Sequence, residues 1–83
     1  MSTIPVTPPP KPMCAREVLD AYFLETRAKL IEIAANLDRV DRAPQRVEVE
    51  RDARLRFVHD ALAILQSPQS NRAELIQKLY SKA

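Results

Sequence analysis

Apolar side chains recur between residues 13 and 41 in two interleaved seams. The first seam is Leu19, Phe23, Thr26, Leu30, Ile33, Leu37 and Val40. Its steps alternate between four and three, which is a heptad pattern. The second seam, Ala21, Leu24, Ala28, Ile31 and Ala35, has the same alternation. At about 100° per residue the two seams fall on nearly opposite sides of one helix. Narrow polar strips separate them, with Glu25, Glu32, Asn36 and Arg39 in one and Asp20, Arg27 and Asp38 in the other. No proline or glycine interrupts this stretch, so the pattern predicts a helix over about 13–41.

The next periodic stretch is shorter. Leu55, Val58, Leu62 and Leu65 form a stripe, widened by Phe57, Ala61 and Ile64. Pro44 disfavours helical geometry at Ala43 and so closes the first helix, while proline itself is welcome in a first turn. A second helix is therefore expected over about 46–66, ending at Ser67-Pro68. A third is expected over about 72–81, with Leu75, Ile76, Leu79 and Tyr80 facing inward. Asn71 and Glu74 have the spacing of a capping box at its start. Both connections are short, and short connections make neighbouring helices antiparallel. The fold class read from this pattern is all-α: a long helix with an antiparallel helical hairpin folded onto it. Tyr22, Phe23, Phe57 and Tyr80 are read as core. Residues 13–83 form a single helical domain in this reading. Ahead of it, residues 1–12 are read as a disordered proline-rich tail, since five of the seven prolines lie between Ile4 and Pro12.

The helix lengths then raise a question of coverage. A helix of roughly 28 residues is about 40 Å long, against about 30 Å for a small domain. The hairpin has enough surface to cover the first seam, and nothing in the chain remains for the second. Alanines at 21, 28 and 35 let two helix backbones approach closely. The order Ala-Leu-Ala-Ile-Ala also reads alike in both directions about Ala28, which suits an antiparallel two-fold contact. We therefore expect Ala21, Leu24, Ala28, Ile31 and Ala35 to form a homodimer interface within a helical bundle. The competing reading treats these alanines as helix formers on an exposed face, and Leu24 and Ile31 weigh against it.

Composition narrows the function. The 83 residues include no glycine. A phosphate-cradling loop, a dinucleotide fingerprint, an EF-hand loop and a nucleophile elbow all need it. Two-residue hairpin turns need it too, so the turns here are expected from proline. Thirteen Lys and Arg against eleven Asp and Glu leave a net charge of +2, a weak field that does not by itself imply nucleic acid. One cysteine and one histidine are too few for a zinc site. A single cysteine suits a reducing compartment. No apolar run approaches a membrane span, and no secretory pattern opens the chain. The expectation is a cytoplasmic protein without a membrane segment, cofactor, metal or small-molecule substrate.

Few residues invite chemistry. His59 has no ligand-type neighbour at three or four residues and reads as a boundary histidine. The acids Glu25, Glu32, Asp38 and Asp41 would need a Glu-x-x-His pair to build a bundle metal site, but Arg56 stands three before His59. They read as a solvated face. Cys14 sits at a helix start, where the dipole can lower a thiol's pKa, yet no base or resolving thiol is near. Arg42, Arg46, Arg51, Arg54 and Arg56 cluster, and a phosphate backbone suits such a face. Pairs Glu48–Arg51, Glu50–Arg54 and Asp52–Arg56 at helical spacing would neutralise most of that charge. Arg54 also falls on the side of Val58 and Leu65, from where it could cover apolar surface or reach Asp38 or Asp41. The Pro9-x-x-Pro12 spacing fits a groove ligand, against the plainer reading of a tether.

The leading functional expectation is a non-enzymatic helical module for interaction or oligomerisation, a scaffold or adaptor with a protein partner. The alternative is a small nucleic-acid-associated regulator that uses Arg42, Arg46, Arg51 and Arg54.

Overall fold

A computed structural model describes residues 13–81. These contain three α-helices and one short 3-10 helix, and no strand among the described residues. Helix α1 spans Ala15–Arg42, α2 spans Ala53–Gln66 and α3 spans Arg72–Ser81. The all-helical reading holds, with α1 and α3 close to their expected bounds. The tail at 1–12, with its Pro9-x-x-Pro12 spacing, lies outside the described residues. The chain divides into two units between Asp38 and Arg39, each described here by itself.

The first unit is helical from Ala15 and holds most of α1. Its N-terminus is fastened by Glu17, whose Oε1 accepts from the Cys14 backbone N–H at 3.0 Å. That bond lowers the Glu17 pKa, because the carboxylate is the form that accepts it. On a polar strip, Lys29 Nζ donates to Glu25 Oε1 at 2.8 Å across one turn. The bond and the charge attraction lower the Glu25 pKa and raise that of Lys29. Both partners are exposed, so the pair helps the helix only weakly.

The second unit starts with the end of α1 and a turn. Here the structure departs from the expectation of a continuous helix from residue 46. Gln45 takes φ 63° and ψ 34°, a left-handed conformation that costs any residue with a Cβ. A chain without glycine thus still makes a left-handed turn, through glutamine. Arg46–Val49 is a single 3-10 turn, and α2 begins only at Ala53. Two causes are local. Val47 and Val49 are β-branched and lose rotamer freedom in a helix. Asp52 is a strong N-cap, and its Oδ1 accepts from the Arg54 backbone N–H at 2.8 Å, satisfying a donor left over at the helix start.

Helices α2 and α3 meet within this unit. The Phe57 and Tyr80 rings pack edge to face, with centroids 5.4 Å apart. Leu55, Val58 and Leu62 on α2 and Leu75, Ile76 and Leu79 on α3 are half-buried. The connection is held by Ser67, whose Oγ donates to the Ile64 carbonyl at 2.6 Å, and by Arg72 Nε donating to the Ser67 carbonyl at 2.9 Å. The expected capping box is not formed. Glu74 pairs with Lys78 at 2.8 Å, where a charged donor outbids a neutral backbone N–H.

None of the described residues is buried. The expected core is therefore corrected at several positions. Leu19, Phe23 and Leu30 of the first seam are each more than half exposed, as is Tyr22 beside it. Tyr80 is 71% exposed despite its ring contact, because only an edge-to-face meeting covers it. With apolar side chains at most half-buried among the described residues, the main stabilising term of a folded domain is weak.

Candidate functional site

The second seam is continuous along α1. Leu24 is 75% exposed and Ile31 is 52% exposed. Ala21 and Ala28 are exposed between them, and Ala35 is half-buried. Helix spacing alone puts the five on one side, since α1 runs without a break from Ala15 to Arg42. The polar strip carrying the Glu25–Lys29 pair borders it. The seam is a flat apolar face with shallow notches at the alanines, between two projecting aliphatic side chains. It offers no acid, base or nucleophile, so its chemistry is limited to packing.

The arginines are dispersed over different local structures. Arg42 ends α1, Arg46 opens the 3-10 turn, Arg51 lies in the turn before Asp52, and Arg54 sits in the first turn of α2. Their pairings differ from those the spacing suggested. Arg46, not Arg54, reaches back to α1, with Nε donating to Asp41 Oδ1 at 2.9 Å. Its Nη1 is enclosed and has no hydrogen-bond partner. Arg54 instead chelates Asp52, with Nε to Oδ1 at 3.0 Å and Nη2 to Oδ2 at 2.9 Å. The Arg54 side-chain and backbone bonds hold the Asp52 carboxyl well below its usual range, at about 2. The cause of the difference is the missing helix between residues 46 and 52. Without α-helical geometry there, Glu48 and Glu50 do not lie one turn from Arg51 and Arg54. Among the described residues Arg42, Arg51 and Arg56 are exposed and make no ion pair.

The remaining candidates stand apart. Cys14 is an exposed free thiol at the start of α1. His59 is exposed on α2. Among the described residues no group of three His, Cys, Asp or Glu side chains is placed to hold a metal ion. No helix among them is long and apolar enough to cross a membrane. Sequence reasoning missed the Arg46–Asp41 clamp and the Asp52 cap. The cap had a readable signal, an Asp just ahead of the apolar stripe. The clamp had none, because it depends on the left-handed turn at Gln45.

No family model matches the chain, and no curated protein or solved structure matches it.

Proposed function

We propose that this protein is a non-enzymatic helical interaction module whose working surface is the second seam of α1. The seam docks a second copy of the chain. The observation that carries this reading is the exposure of Leu24 and Ile31 in a chain with no buried residue among those described. Such a chain gains stability from whatever covers its apolar faces, so folding and association become one event. In an antiparallel pairing about Ala28, Ala28 meets the partner's Ala28 and Ala21 meets the partner's Ala35. Leu24 falls beside the partner's Ile31. Apolar side chains then meet apolar side chains along the whole seam, as a two-fold contact requires. Helices α2 and α3, joined by a short connection, form an antiparallel hairpin. Dilution tests the reading: helicity and sedimenting mass fall together as concentration drops. Full helicity in a single-chain species overturns it.

A second reading rests on the unpaired arginines. Arg51 and Arg56 are free of the expected helical pairs and, with Arg42, leave positive charge near the turn, which suits a phosphate backbone. In that reading, affinity for a nucleic-acid duplex falls steeply between low and moderate salt. Self-association through an apolar seam barely changes with salt.

A further inference from the structure

We infer that residues 45–52 are a two-state element, in which the turn described above exchanges with a helix that carries α2 back to Arg46. The exchange decides whether Arg51 and Arg56 stand free or paired, and so what charge the start of α2 offers to a partner. The element lies wholly within the second unit, whereas the second seam of α1 lies in the first.

The turn has local defects that a helix removes. Gln45 is left-handed at φ 63° although it is not glycine, which disfavours the turn about 5- to 30-fold. Arg46 Nη1 is enclosed without a hydrogen-bond partner, and an enclosed donor left unmet is unfavourable. The backbone is also close to helical already. Arg46–Val49 is a 3-10 turn, which becomes α-helix by a shift of one residue in its hydrogen bonds.

The charges are spaced for the helical form. Glu48, Glu50 and Asp52 precede Arg51, Arg54 and Arg56 by three or four residues, with the acid first, as a helix favours. In the turn, Glu48, Glu50, Arg51 and Arg56 are exposed and make no ion pair. Against the helix stand the Asp52 cap with its Arg54 chelate, the Arg46–Asp41 clamp and the two valines. A cap is worth about fivefold and each valine about two- to threefold. The three helical pairs are worth up to about twofold each, on top of the relief at Gln45. Each side multiplies to the order of ten- to a hundredfold, so the forms are close enough for a partner to choose between them. A partner that holds Arg51 and Arg56 selects the turn. The helix withdraws both arginines into pairs with Glu48 and Asp52.

Backbone carbon-13 shifts of the full chain test this at Asp52, which is extended in the turn at ψ 132° and helical in the other form. Val47→Ala with Val49→Ala is expected to raise the helical population about four- to ninefold and to move the Asp52 shift toward helical values. Gln45→Gly relieves the left-handed residue and is expected to move that shift the opposite way, with the wild type between. In the double-alanine background, Glu48→Gln is expected to reverse up to about twofold of the gain. Val47→Ala alone changes a side chain that is 74% exposed and is expected to give about a two- to threefold gain, which keeps the test open if the double variant unfolds. Equal Asp52 shifts in the wild type, Val47→Ala and Gln45→Gly overturn the two-state element. A helical gain that ignores Glu48 overturns the withdrawal of Arg51.

Discussion

Truncating Leu24 separates an interface residue from a bystander by the sign of the effect. The side chain is 75% exposed in the single chain, so docking can remove most of its surface from water. Full burial of a leucine is worth about 1.5–3 kcal/mol, so the Leu24→Ala change forfeits about 1–2 kcal/mol at each copy. A two-fold contact counts the residue twice, giving about 2–4 kcal/mol per pair. That weakens association roughly 30- to 1,000-fold. In a solitary helix the same change does the reverse, since alanine is a slightly better helix former than leucine. Sedimentation velocity over a concentration series, with circular dichroism on the same samples, reads both quantities. The expected result is weaker association and, near the dissociation constant, less helix. Unchanged association with equal or greater helicity would refute the reasoning.

Three further predictions concern the second unit. The Asp52 carboxyl, held at about 2 against an ordinary 3.8, favours the folded state above its unfolded pKa. That contribution is lost as pH falls from about 4 toward 2, so exchange of the Arg54 amide should accelerate there, and Asp52→Ala should abolish the step; protection unchanged across that range contradicts the cap. Gln45→Gly relieves the left-handed backbone at φ 63° and, net of glycine's added freedom in the unfolded chain, should stabilise by about 0.5–1 kcal/mol in a urea titration; a loss of stability would count against that geometry. A double-mutant cycle on Phe57→Leu and Tyr80→Leu should return a coupling of about 0.5–1.5 kcal/mol for the edge-to-face rings, and a coupling of zero would place the rings apart.

The parts of the fold legible in the sequence were those set by long periodicity. The heptad steps from Leu19 to Val40 placed α1, and Ser67-Pro68 with the 75–80 stripe placed the end of α2 and all of α3. The segment from Gln45 to Asp52 was misread, because single residues decide it. A helix-rich charge pattern at 46–56 reads as one continuous helix unless Asp52 is recognised as a cap and Val47 and Val49 as poor helix formers. Once the turn replaces that helix, the pairs Glu48–Arg51 and Glu50–Arg54 inferred from helical spacing go with it. Arg54 then turns to its neighbour Asp52, and Arg46 takes Asp41. The second seam was legible as an apolar face, since Leu24 and Ile31 sit at heptad positions. What was misjudged is the first half of the first seam, where Leu19, Phe23 and Leu30 are exposed. Periodicity says which residues share a side; it does not say what covers that side, and Phe23 reads as core whether its cover comes from this chain or from another.

The account depends on Ala28 lying at a crossing point between two copies of α1. Ala28→Cys in a Cys14→Ser background places one thiol per chain at that point. Two such thiols facing across a two-fold axis come within the roughly 4.4–6.8 Å between Cα atoms that a disulfide needs. Mild oxidation of the folded protein is predicted to give a covalent dimer rapidly and nearly completely, while Glu32→Cys on the polar strip reacts slowly in the same background. Equal, slow cross-linking at both positions would contradict the claim.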